Sequence, residues 1–374
     1  MRDIRLTDEG SKYQQVKSNI KKWILSGEVD SGGKIPAETQ VAEWFGISRH
    51  TVRQAIGELV SEGWLYREQG RGTFVHGDNA RTASDAVRHG SIGVVTTYLV
   101  DYIFPHIISG IEGCVSERRQ TLSLFSTGNN VQMERRCLET ALAEGVQGFI
   151  IEPTKSTHPN PNIDLYLLME QKNIPFVMLH SSYVELNASV VAMDDAQGSY
   201  MVTKHLIELG HQSIAGIFKS DDMQGRARFR GFVKAHQDHH VPIQGHWIQT
   251  YTTEERDGGA AIFVQKHFAK GSKPRPTSVV CYNDEIAVQV ISQLRTLGLR
   301  VPEDVAVTGF DDSSLAVNSA IPLTTIRHPK DEMGKAAANL LFELMENREN
   351  MWVPREHIFP PELVVRASTA APST

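Results

Sequence analysis

Ser48-Arg49-His50-Thr51-Val52-Arg53 places five polar side chains within six residues. If Ser48 is a helix N-cap, Arg49, His50, Thr51 and Arg53 fall on or near the first turn. Val52, Ala55, Ile56 and Leu59 then turn inward at helical spacing. The chemistry this arrangement fits is the reading of duplex DNA. Free amides at a helix N-terminus favour phosphate, and an arginine on that turn makes a bidentate contact to guanine, so Arg53 is the expected base reader. Arg71, between Gly70 and Gly72, suits a wing reaching into a groove.

Other chemically suggestive groups read more plainly. Asp194 and Asp195 precede Gly198 and a helical run, which makes them helix-start carboxylates rather than an acid pair. His236 and His240 have i, i+4 spacing but no carboxylate or cysteine companion, so no metal is expected. Cys114, Cys137 and Cys281 are far apart and read as small apolar residues. Neither Gly-x-Ser-x-Gly, nor His-Glu-x-x-His, nor a phosphate loop occurs, so neither an enzyme nor a cofactor is expected. Lys155, after Glu152-Pro153-Thr154, reads equally as a ligand contact at a strand end or as a solvated loop cation.

An Arg-His-Thr face on an isolated helix would be an ordinary solvated helix start, so its neighbours decide. Tyr13, Val16, Ile20, Trp23 and Ile24 mark a first amphipathic helix over 12–27. Val41, Ala42, Trp44 and Phe45 form a short second helix that stops at Gly46, and the third runs from Ser48 to about Glu62. Trp64-Leu65-Tyr66 and Thr73-Phe74-Val75 flank Gln69-Gly70-Arg71-Gly72 as a two-stranded hairpin. Three helices and a hairpin make a winged helix-turn-helix over residues 1–76. Residues 77–90 turn small and polar and read as a linker. From 91 to 374, apolar strands at 92–96, 149–152, 176–179, 214–218, 278–282 and 305–310 alternate with helical segments. The class is α/β, with parallel sheets flanked by helices.

Net charge argues neither way. The chain carries −6, and residues 1–80 hold 11 Lys plus Arg against 11 Asp plus Glu. DNA binding must then rest on where cations sit. The N-terminus lacks the apolar core of a signal peptide and no apolar run is long enough to cross a bilayer, so a cytoplasmic protein is expected.

The run from Lys34-Ile35-Pro36-Ala37-Glu38-Thr39 to Gln69-Gly70-Arg71-Gly72-Thr73-Phe74-Val75, with Ser48 to Arg53 inside it, resembles the GntR-type DNA-binding domain. The resemblance implies DNA contacts from the residue after Pro-Ala-Glu, from the recognition helix and from the wing tip. The expected set is Lys12, Glu38, Thr39, Ser48, Arg49, His50, Thr51, Arg53, Gln69, Gly70 and Arg71. Thr39 stands where family members often have Arg, so that phosphate contact is expected to be weaker, or replaced by Glu38 reading a base.

The remainder resembles the LacI/ribose-binding type. The likeness rests on Ile92-Gly93-Val94-Val95 with Asp101-Tyr102-Ile103-Phe104, His205 to His211, Cys281-Tyr282-Asn283-Asp284, Val301 to Asp312, and Leu323 to Pro329. It implies a two-lobed, periplasmic-binding-protein-like domain closing on a small ligand. Ile103 and Phe104, placed at the end of the first strand, match an aromatic wall, and Arg228, before Gly231-Phe232, matches a ligand-binding arginine. Asn283 and Asp311 would meet hydroxyls, and His328 stands where many sugar-binding relatives have Gln. The expected ligand set is Tyr102, Phe104, Lys155, Arg228, Asn283, Asp311 and His328. Across both halves, Thr96-Thr97-Tyr98, Ile151 to Ser156 and Arg327-His328-Pro329-Lys330 resemble the arabinose-responsive repressors of Gram-positive bacteria. That implies L-arabinose as effector, whereas the residues alone go no further than a small polyol. A homodimer on a palindromic operator is expected from two-fold symmetry.

Overall fold

A computed structural model describes the chain apart from residues 1–10, 26–27, 31, 62–63, 69–70, 76–89, 101, 270–273 and 373–374. The chain divides into two units after Gly90. Of the linker expected over 77–90, only Gly90 is among the described residues.

In the first unit, helices α1 (Lys12–Leu25), α2 (Glu38–Phe45) and α3 (Arg49–Ser61) precede strands β1 (Leu65–Glu68) and β2 (Gly72–Val75). Each helix turns its apolar stripe inward. Val16, Ile20, Trp23, Val41, Phe45, Val52, Ile56, Leu59, Leu65 and Val75 form one buried cluster. The turn between α2 and α3 depends on Gly46, whose φ of 61° is left-handed and closes α2 without the strain a side chain would add. Ser48 Oγ then accepts from the Thr51 amide at 3.2 Å, capping α3. The strands pair antiparallel from Leu65↔Val75 to Glu68↔Gly72, making the wing.

The second unit holds two parallel sheets. Strands β3 (Ser91–Thr96), β4 (Thr121–Ser126), β5 (Gly148–Ile151), β6 (Phe176–Leu179) and β7 (Ser189–Met193) are joined by β13 (Glu356–Phe359) in the order β13-β7-β6-β5-β3-β4. Helices α4 (Phe104–Glu117), α5 (Val131–Ala143), α6 (Ile163–Gln171) and α12 (Lys330–Glu346) belong to this first lobe. The second lobe has β8 (Ile214–Lys219), β9 (Ile248–Tyr251), β10 (Ser278–Cys281) and β11 (Ala306–Thr308) in the order β11-β10-β8-β9. Its helices are α7 (Asp195–Glu208), α8 (Met223–Asp238), α9 (Gly259–Phe268), α10 (Asp284–Thr296) and α11 (Ser314–Asn318). A small antiparallel pair, β12 (Thr325–Arg327) with β14 (Glu362–Val364), lies where the chain returns between lobes.

Central strands β5, β6 and β10 are buried at every residue, as parallel strands covered on both faces must be. Helices α4 and α12 approach backbone to backbone. A Cβ on Gly110 would strike the Asp331 carbonyl oxygen, and one on Gly334 the Ile107 carbonyl oxygen. One expectation is corrected here: the first strand ends at Thr96, and Phe104 opens α4 rather than closing a strand. Among the described residues, no helix is long and apolar enough to cross a membrane.

Candidate functional site

In parallel sheets the crevice lies at the carboxyl ends of the strands, and both sheets here aim those ends at one cleft. Thr97 follows β3, Glu152 follows β5, His180 follows β6, Tyr282 and Asn283 follow β10, and Asp311 and His328 follow β11 and β12. All line a cavity whose empty space, open mouth included, is about 800 Å³.

Arg228, on α8, is the centre of the polar wall. Its Nε donates to Asp195 Oδ1 at 2.8 Å, Nη2 to Asp311 Oδ1 at 3.0 Å and Nη1 to the Tyr282 carbonyl at 2.7 Å. The guanidinium carbon sits 3.7 Å from the centre of the Phe310 ring. Burial opposes its charge, but Asp311 and Asp195 outweigh burial and hold it protonated well above its ordinary range. Burial in turn pushes Asp195 up to about 6 against the pull of Arg228. The second Asp311 oxygen accepts from the Tyr102 hydroxyl at 2.8 Å, and that hydroxyl accepts from the Asp284 amide at 3.1 Å. Asp284 is pushed up to about 7 by burial and then by the charge of Asp311, though it accepts from Thr325 Oγ1 and from Ser313.

The opposite wall is a carboxylate–imidazole pair. Glu152 accepts from the Thr97 amide at 2.8 Å and lies 3.1 Å from His180 Nδ1. Burial disfavours protonated His180, yet the hydrogen bond and charge of Glu152 prevail and raise its pKa. His328 stands 5.2 Å from His180 between ring centres. Its pKa is driven well down by burial, then by His180, Lys330 and Arg228, so it stays neutral. His180 Nε2 and His328 Nδ1 are buried with no hydrogen-bond partner among the described residues. A buried unpaired nitrogen is costly, and a hydrogen-bonding group placed in the cleft would relieve that cost. Phe104 and Tyr98, 5.9 Å apart in edge contact, present an apolar wall to C–H groups. Asn283 Oδ1 caps α10 through the Ile286 amide at 3.0 Å, which leaves its amide NH₂ for a ligand.

Of the seven expected ligand residues, the fold brings Tyr102, Phe104, Arg228, Asn283, Asp311 and His328 around this cavity, while Lys155 is not in its wall. Lys155 Nζ is engaged by Asp221 at 2.6 Å and Glu254 at 2.7 Å. Sequence reasoning missed Glu152, His180 and Lys219 as wall residues. Glu152 and His180 each directly follow a wholly apolar strand, and that signal was available. It also read Asp194 and Asp195 alike. Asp194 caps α7 through the Gln197 amide at 2.9 Å, but Asp195 is buried and binds Arg228.

On the first unit, Ser48, Arg49, His50 and Arg53 form an exposed face at the start of α3, with Thr51 partly covered and Thr39 exposed on α2. Glu38 lies among them, 3.0 Å from Arg53 and 3.6 Å from Arg67. Lys12 is exposed at the first residue of α1. Arg71, exposed on the wing, pairs with Glu68 at 2.6 Å. Gln69 and Gly70 lie outside the described residues.

The model of the bacterial regulatory proteins of the gntR family matches residues 12–75, and that of the periplasmic binding protein-like domain matches residues 203–369. An arabinose metabolism transcriptional repressor of Geobacillus stearothermophilus is 46% identical over 358 residues, covering 96% of this chain and 97% of that one. The arabinose metabolism transcriptional repressor of Halalkalibacterium halodurans is 46% identical over 365 residues, with 96% and 97% covered. A LacI family transcriptional regulator from Enterococcus faecium, solved with bound ribose, superposes with a TM-score of 0.62 at 26% identity over 75% of this chain and 99% of that one. These relatives are regulators of transcription rather than enzymes. Matched nearly end to end and in both of its parts, the chain belongs to the family of arabinose metabolism transcriptional repressors.

Proposed function

We propose that the protein represses sugar-utilisation genes by holding a palindromic operator as a homodimer in the cytoplasm, and releases it when L-arabinose enters the cleft. The observation that carries the sugar reading is the cleft wall itself: Arg228, Asp311 and Tyr102 locked together on one side, and on the other two buried imidazole nitrogens with no partner among the described residues. The charges favour a neutral ligand. Each cation in the wall is matched by a carboxylate: Lys219 by Asp222, Arg228 by Asp195 and Asp311, Arg256 by Glu285. None is left to receive a phosphate, whereas hydroxyls bind as both donors and acceptors.

Residues 1–76 serve as the DNA-binding part, 77–90 as linker, and 91–374 as sensor and dimerisation part. Lys12, Thr39, Ser48, Arg49, His50, Thr51, Arg53 and the wing from Gln69 to Arg71 meet DNA, with Glu38 orienting Arg53 or reading a base. A groove lined by Val288, Ile291, Leu299 and Ile321 is the surface we assign to a second copy. Closure of the lobes on the sugar changes that surface and lowers operator affinity by a coupling free energy of about 1–3 kcal/mol. Anisotropy of a labelled operator, titrated at fixed salt with and without L-arabinose, tests the reading. Unchanged operator affinity with sugar present would overturn it.

A further inference from the structure

We infer that Lys155 is a latch between the two lobes of the sensor, setting effector affinity through Asp221 from outside the cavity wall, without touching the effector. The inference rests on the cleft being the effector site.

Lys155 is held firmly by the first lobe. Its amide donates to Asn129 Oδ1 at 2.8 Å, and the preceding Thr154 amide donates to the Tyr183 hydroxyl at 2.7 Å. That hydroxyl donates at 2.6 Å to Glu134, a buried carboxylate that also accepts from Asn160, Asn162 and Tyr166. From this anchored loop the side chain crosses to the second lobe, where Nζ lies 2.6 Å from Asp221 Oδ2. Asp221 is wholly buried and accepts from the Thr253 amide at 2.9 Å and hydroxyl at 2.8 Å, both in its own lobe. The other cation near it is Lys219 at 3.4 Å, which sits closer to Asp222 at 2.9 Å. Opening the lobes therefore takes the nearest countercharge from a buried carboxylate, a costly separation. Glu254 is largely exposed and adds little. The same seam carries the Met223 amide donating to Ser156 Oγ, Thr157 Oγ1 donating to the Ser220 carbonyl, and Asn129 donating to Thr253.

A contact that favours closure scales the apparent dissociation constant by the closed fraction, so its loss weakens binding although no ligand contact changes. The test is calorimetric titration of the full-length protein with L-arabinose for wild type, K155R, K155M, D221N and K155M/D221N. K155M is expected to weaken binding about tenfold, K155R to keep most of the affinity, and K155M to add less than about twofold in the D221N background. An unchanged K155M overturns the latch. A full K155M loss that persists in D221N overturns it as well, because Lys155 would then be touching the sugar. A wild type that binds no L-arabinose refutes the effector reading instead. Amide exchange of ligand-free protein over 155–157, 220–223 and 252–254 then decides the latch: faster in K155M supports it, and equal rates overturn it.

Discussion

Arg228 Nη2 and Asp311 Oδ1 lie 3.0 Å apart, with side chains only 5% and 4% exposed. At that burial the pair is worth little as a net stabiliser, but removing one member leaves the other as an unpaired buried charge. R228M should therefore destabilise the sensor by about 3–5 kcal/mol, read by urea unfolding. R228K keeps the charge but cannot reach Asp195, Asp311 and Tyr282 together. It is expected to weaken L-arabinose binding by at least about 100-fold while operator affinity stays at the wild-type value, giving a repressor that sugar does not release. Wild-type induction in R228K would contradict the assignment.

Charge matching in the cleft predicts discrimination between two closely related ligands. L-Arabinose should bind at least about 100-fold more tightly than its 5-phosphate, since a phosphate would enter beside Asp222, Glu285 and Asp311 with no uncommitted cation. Competition calorimetry reads the ratio, and equal affinities would refute the charge argument.

His328 supplies a pH signature. Burial, followed by nearby positive groups, holds its folded pKa well below the ordinary 6.5. The unfolded chain then takes up a proton first as pH falls, so the stability this histidine contributes is present above about 6.5 and is lost below it. H328Q removes the titration. Relative to wild type, the H328Q urea midpoint should rise as pH is lowered from about 7.5 to about 5.5. A pH-independent difference would mean that folding leaves the His328 pKa unchanged, and a difference of opposite sign would mean that the folded protein holds it charged; either outcome contradicts the prediction.

On the DNA face, R53A should cost about 1–3 kcal/mol of operator affinity at fixed salt and flatten the preference at one base position. S48A removes the α3 cap and should lower the stability of the N-terminal unit by about 1 kcal/mol. Comparing operator binding by both variants with their thermal unfolding separates lost contact from lost fold. Full operator specificity in R53A would remove Arg53 from the reading set.

What could be read from the residues follows how local each signal is. Gly46 and Ser48 mark the α2–α3 turn because a left-handed stop and a side-chain cap are decided within a few residues. The fully apolar β5, β6 and β10 announce themselves, whereas β4 at the sheet edge mixes exposed and half-covered residues and β9 carries Gln249 and Thr250. Neither shows a continuous apolar run. The Glu152–His180 pair exists only once β5 and β6 lie side by side, and the Lys155–Asp221 pair only once the lobes meet. Asp194 and Asp195 are adjacent and chemically identical. Asp194, just outside the helix, turns back to cap it, while Asp195 at its first residue points into the core, and no local pattern distinguishes them.

Close backbone approach at two glycines, Gly110 against the Asp331 carbonyl and Gly334 against the Ile107 carbonyl, fuses the helix that begins at Phe104 to the helix that begins two residues after His328. Two walls of the cleft, more than two hundred residues apart in the chain, thus ride on one rigid block. Exchanging the side chain at Phe104 or His328 recuts the shape offered to a guest without disturbing the spacing between the two. Chemical taste and mechanical motion are thereby separated, and descendants of this scaffold are free to adopt new inducers while keeping the same hinge.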